Sequence, residues 1–288
     1  MEQARSLSAQ ESKVVLALTE QHQREVTRQQ VIELLGSSSK AADHVIASLR
    51  RKGWLQRATW GEYLLVPPDQ GPDALGDSNL LALASRIADP YYIGFGTAAA
   101  HYGLTTQLRR VIFVVTTVRL RAREVGESRV RIVNLTQRKF FGFAPVDVLG
   151  YKVMISDREK TAIDCIDRPD LSGGVGEAAM IFGNACRRFD WTKATDYLQQ
   201  IDSAALVRRL GWLADHVKAD VPPPARERLM YLAAQSRKTW LGPDPVRDGL
   251  VAHAIGYDKN WGLLVNVARE ELHGSAGLGQ QKTIRKGA

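Results

Sequence analysis

Residues Ser48–Pro68 read SLRRKGWLQRATWGEYLLVPP. Two arginines and a lysine close an amphipathic stretch, and a short alternating segment with Trp60-Gly61 at its centre follows at once. Alternation on both sides of an aromatic-Gly pair predicts a hairpin. Glycine there permits the tight turn that an L residue resists. Upstream, the third of three predicted helices covers roughly 40–52 and is closed by Gly53. At 3.6 residues per turn, Ala42, Val45, Ile46 and Leu49 share one face. Lys40, His44, Ala47, Ser48 and Arg51 share the other.

Working outward, Ser8 is placed to cap a first helix carrying Val14, Val15, Leu16 and Leu18 on one side. Thr27 is placed to cap a second, with Val31, Ile32, Leu34 and Leu35, which Gly36 ends. Three helices and a hairpin is the order of a winged helix-turn-helix, in which the third helix lies in the DNA major groove and the wing touches the backbone. The short, cationic outer face of the third helix suits base edges and phosphates. The candidate DNA-contacting residues are Arg28, Ser39, Lys40, Asp43, His44, Ser48, Arg50, Arg51 and Lys52, with Arg57 and Trp60 on the wing. Trp54, Tyr63 and Leu65 read as core. The competing reading is a small helical domain with a solvated charged face.

The whole chain has 288 residues, 44% hydrophobic and 24% charged, the balance of a globular protein large enough for two domains. The formal net charge is +8, which suits a polyanionic partner. Cys165 and Cys186 form neither a CxxC motif nor a Cys/His cluster, so no disulfide framework or zinc site is expected. No apolar run reads as a signal peptide or a membrane span, and the expected location is the cytoplasm.

The expected fold class is α+β, a winged helix at 1–66 followed by a larger mixed domain at 80–274. A Pro/Gly/Asp-rich linker at 67–79 separates them, and the glycine-rich basic tail at 275–288 reads as disordered. In the second domain, VIFVVTTV, SRVRIVNL and KVMIS read as strands, the region from Ser156 to about Gln235 as mostly helical, and WGLLVNV as a last strand.

VRLRAREVGESRVRI predicts a second hairpin, turning near Gly126. Alternation places Arg119, Arg121 and Arg123 on one face of its first strand, and Arg129 and Arg131 on one face of the next. If the register aligns them, the five make one basic surface. A polyanion-facing role and a solvated edge that blocks aggregation both remain open. Between His101 and Phe140 nine basic residues stand against two acidic ones, nearly the whole excess of the chain.

SDREKTAIDCID gathers carboxylates and a lysine, as a metal nuclease would. A local reading explains it better: Ser156 and Glu159 have capping-box spacing, Asp157 favours the helix start, and Ile163 and Ile166 face inward. Gly173–Gly176 lacks the GK[ST] of a phosphate loop, and no Gly-Ser plus paired-aspartate nucleotidyltransferase motif is present. Catalytic residues, metal ligands and cofactors are therefore not expected, and neither is enzyme activity.

LRRKGWLQRATWGEYLLVP resembles the N-terminal winged helix of AbiEi antitoxins, the regulatory half of AbiE type IV toxin–antitoxin operons. IGFGTAAAHYGLT, VMISDREKTAIDCID and WGLLVNV are similar to later family segments, in the same order, over most of the chain. Lys160 departs from the arginine common in the family. The resemblance implies a repressor of its own operon that binds double-stranded operator DNA, with inverted-repeat sites occupied cooperatively. It also implies neutralisation of a cognate nucleotidyltransferase-like toxin, without a stable complex. A ligand-responsive winged-helix transcription factor and a nucleic-acid-processing enzyme are the alternatives from other classes.

Overall fold

A computed structural model describes residues 6–21, 23, 25–59, 61–66, 81–82, 84–107, 111–120, 123–125, 128–148, 151–234, 239–242, 244, 255–268 and 271–272. The linker at 67–79, the basic tail, Trp60 and Arg121 lie outside these. The chain is an α+β protein that divides into two compact units. The first comprises Met1–Tyr92, Arg110–Asn134 and Pro145–Met154, and the second Ile93–Arg109, Leu135–Ala144 and Ile155–Ala288. The first unit thus takes in more of the chain than 1–66.

The first unit begins with helix α1 (Ala9–Glu20), whose N-cap Ser8 forms a reciprocal capping box with Glu11. Strand β1 (Glu25–Thr27) leads into α2 (Arg28–Leu35), where Thr27 and Gln30 form a second box. Gly36, at φ 59°, ends α2 in the left-handed conformation that favours glycine. Helix α3 (Ser39–Arg51) is capped by Ser38. Strands β2 (Leu55–Thr59) and β3 (Glu62–Leu65) follow, and the three strands form a sheet in the order β1-β3-β2.

Val14, Val15 and Leu18 of α1, Val31 of α2, and Ala42, Val45, Ile46 and Leu49 of α3 pack with Trp54, Leu55 and Leu65 into one core. Tyr63 packs against it. Burying a side chain such as Leu49 contributes about 2 kcal/mol. Leu16 does not join its neighbours: at 57% exposed it faces outward, because two helical steps carry it away from the Val14–Leu18 stripe.

The first unit also carries most of a six-stranded sheet. Its strands are β4 (Tyr91–Ile93), β5 (Val111–Thr116), β6 (Arg123–Val125), β7 (Ser128–Asn134), β8 (Phe143–Val148) and β9 (Tyr151–Ser156), in the order β6-β7-β5-β4-β9-β8. β5 pairs with β7 in parallel, Val111 opposite Arg129 through Thr116 opposite Asn134. The unbroken apolar run of β5 fits this inner position.

The second unit is mainly helical: α4 (Phe95–His101), α5 (Arg158–Asp167), α6 (Val175–Ala185), α7 (Trp191–Ile201), α8 (Ala204–His216) and α9 (Pro223–Ala233). A small sheet joins β10 (Thr239–Trp240), β12 (Leu263–Val265) and β11 (Gly256–Asp258), with β12 central. Helix α5 is buried along almost its whole length, Ile163 and Ile166 included.

Its start differs from the expected Ser156–Glu159 capping box. Asp157 is the N-cap and accepts from the Lys160 amide at 2.8 Å. Ser156 is drawn instead to the Thr161 hydroxyl at 2.7 Å, and Glu159 accepts from the Asp190 amide at 3.1 Å. No helix among the described residues is long and apolar enough to cross a membrane.

Candidate nucleic-acid interface

The outer face of α3 carries Ser39, Lys40, Asp43, His44 and Ala47, all exposed, and ends in exposed Arg50 and Arg51. Ser48 is half-buried. The helix orients this face because its other side is committed to the core through Ala42, Val45, Ile46 and Leu49. Gly53, at φ 72°, closes the helix with its amide on the Arg50 carbonyl at 3.1 Å, and the Trp54 amide returns to Leu49 at 2.9 Å. The chain is thereby turned directly into β2.

Lys52 and Ser48 are not presented as their charge and position in the sequence suggest. The Lys52 ammonium lies 2.7 Å from the carboxylate of Glu11, which is 3% exposed. Ser48 donates to the same carboxylate. Burial alone would raise Glu11, but the bonds from Lys52, Ser48 and Ser8 hold it lowered, at about 2. These two residues fasten α1 to the end of α3, and Lys52 contributes less net cationic field than its sequence position implies. Sequence reading missed Glu11 as an internal counter-ion. The Ser8–Glu11 spacing betrays only its capping role.

Arg28 forks onto Asp43, Nε to Oδ1 at 2.6 Å and Nη2 to Oδ2 at 2.7 Å. The Arg28 amide donates to the Gly61 carbonyl at 2.8 Å, and Gly61, at φ 80°, makes the β2–β3 turn. The turn, the start of α2 and the face of α3 are therefore adjacent. Arg57 is exposed on β2, opposite Tyr63, where the register slips before Thr59.

Strands β6 and β7 of the expected arginine hairpin pair antiparallel, but their register divides the basic positions. Arg123 is opposite Val130 and Glu124 opposite Arg129. Directly opposed positions lie on one face of a sheet and neighbours alternate. Positions 124, 129 and 131 therefore share one face, and 123 the other. Arg119 is exposed but precedes the strand rather than belonging to it. This register puts position 123 out of step with 129 and 131, and Arg121, the fifth expected member of the surface, lies outside the described residues.

The SDREKTAIDCID segment is occupied internally. Lys160, 0% exposed, pairs with Asp164 one helical turn on and lies 5.2 Å from the centre of the Phe141 ring. Asp157 accepts from the Tyr197 hydroxyl at 2.7 Å and pairs with Lys193 at 3.0 Å. Among the described residues no three His, Cys, Asp or Glu side chains come together as a metal site requires. The second unit also holds a cavity of about 480 Å³ lined by Trp212, His216, Tyr257, Asp258 and Val265. The Trp212 and His216 rings stack there, 5.1 Å apart.

Neither a protein-family model nor a curated protein matches the chain. Its fold is similar to that in the crystal structure of the RV2827C protein from Mycobacterium tuberculosis, with a TM-score of 0.65 over 94% of this chain and 96% of that one, at 17% identity. At that identity the likeness is one of fold alone.

Proposed function

We propose that this chain is a DNA-binding antitoxin that represses its own toxin–antitoxin operon and neutralises a cognate nucleotidyltransferase-like toxin in the cytoplasm. In this reading α1–α3 and the β2–β3 hairpin are a winged helix-turn-helix, and α3 enters the major groove of a double-stranded, inverted-repeat operator. One observation carries the DNA-binding half. α3 presents exposed Lys40, His44 and Arg51 on the face opposite its core stripe, with exposed Arg50 at its flank, beside a tight hairpin. The antitoxin half is supported by the AbiEi-like order of segments, and the protein does no catalysis in it.

Operator binding by Arg51→Ala and Lys40→Ala proteins tests the first half. An arginine bidentate to guanine is worth about 1–3 kcal/mol, and one that meets only phosphate is worth less. Unchanged affinity in both variants would remove α3 from the interface. Co-expression with a nucleotidyltransferase-like protein from a neighbouring reading frame tests the second half, with cell survival as the readout. The cavity at Trp212 and His216 favours a second reading, a ligand-responsive transcription factor with no toxin partner. A rise in melting temperature with a small metabolite, together with failure to protect against any adjacent toxin, would select it.

A further inference from the structure

Arg28 stands where three parts of the first unit meet. Its backbone is bonded to the β2–β3 turn at Gly61 and its guanidinium is forked onto Asp43 of α3. Both side chains remain well exposed, 41% and 52%. The fork holds both ionised, raising Arg28 and lowering Asp43 through their shared hydrogen bonds. The pair therefore presents a dipole on a face that otherwise carries cations.

A carboxylate at that place needs a reason. Asp43 follows Lys40 by three residues and precedes Ala47 by four, so it lies on the exposed row of α3. For attraction to any polyanion a neutral residue would serve better, since it would leave Arg28 able to reach a phosphate. Exposed ion pairs contribute little to folding, so stability alone is a weak explanation. Two properties fit better. Phosphate contacts position a protein but carry no sequence information, and an arginine closed by a carboxylate is withdrawn from them. A carboxylate on a groove-facing helix also accepts from the exocyclic amine of cytosine, which a phosphate cannot imitate.

We infer that the Arg28–Asp43 pair is a selectivity element, in which Asp43 withholds Arg28 from the phosphates of generic DNA and offers its carboxylate to a cytosine amine in the operator. This rests on the DNA-binding reading of α3. The pair sacrifices general affinity and so widens the gap between operator and other DNA.

Full-length protein, Asp43→Asn and the double Asp43→Asn/Arg28→Ala variant are titrated against two labelled duplexes over a salt series. One duplex is the sequence recovered by selection from a random pool, and the other is a random-sequence duplex. Asp43→Asn frees Arg28 for one more phosphate. Its slope of log affinity against log salt on the random duplex should steepen by about 0.9, and its affinity there should rise roughly fivefold near physiological salt. The selected duplex should gain less, so the ratio between the two falls. The double variant should lose the extra slope, because the gain requires Arg28.

An Asp43→Asn protein with unchanged slope and unchanged ratio overturns the inference and leaves the DNA-binding reading standing. So does wild-type protein that binds both duplexes equally. Wild-type protein that binds neither removes the DNA-binding reading, and the inference with it.

Discussion

Glu11 shows how one residue acts at two distances. It closes the Ser8 capping box and also holds Lys52 and Ser48, so its carboxyl is lowered from 4.5 to about 2. A depressed carboxyl contributes stability that is fully present above its unfolded value and disappears as pH falls through the folded one. The contribution should therefore be lost between pH 4.5 and about 2, and be on the order of 2–3 kcal/mol. Denaturant midpoints over that range should fall for the wild type and run flatter for Glu11→Gln. The buried Lys160–Asp164 pair makes a second case. Lys160→Met leaves Asp164 charged in the interior and should cost about 3–5 kcal/mol, whereas Lys160→Met with Asp164→Leu should recover most of it. A double variant no more stable than the single one would show that the pair is not coupled. At this scale the caps Ser8 and Thr27 were legible because a cap bonds three residues away. The Glu11–Lys52 bond spans 41 residues, which no local pattern encodes.

At the scale of elements, α8 meets the small sheet through a glycine. Gly211 lies against the indole of Trp261, and a methyl group added there would overlap the ring. Gly211→Ala should therefore destabilise by about 1–3 kcal/mol, seen as a lower melting temperature. An unchanged melting temperature would mean that Trp261 moves freely aside. The β6–β7 hairpin bears on the proposed antitoxin role. With 129 and 131 on one face, reversing both to glutamate should weaken protection from the toxin and leave operator affinity intact. If protection persists, that face is a solvated edge. The long apolar run of β5 was legible as a strand, and so were the paired strands β6 and β7. β8 was not: FAPVDV carries a proline, and its burial alternates irregularly. β10 and β11 are two and three residues long, too short for any period to appear.

At the scale of the molecule, residues 1–66 own a continuous core, but Arg86 reaches back to Glu25 and, at 3.3 Å, to Glu62. A fragment ending at 66 should fold, because Leu18, Leu49 and Trp54 belong to a core cluster whose members among the described residues all lie within it. Loss of the two half-exposed Arg86 pairs should cost it no more than about 1 kcal/mol. A fragment without a cooperative unfolding transition would show that the later strands of the first unit are needed. By itself the sequence determined what short-range physics controls: the helix caps at Ser8 and Thr27, the glycine that ends α2, the apolar stripe of α3, the continuous apolar strand and the α+β class. Tertiary structure alone decided which cations remain presented. Lys52 is spent on Glu11, Arg28 on Asp43 and Arg86 on two glutamates, and Lys160 is buried. A sequence records how many charges there are. Where each one ends depends on partners brought close by a core, and that proximity is a property of the fold.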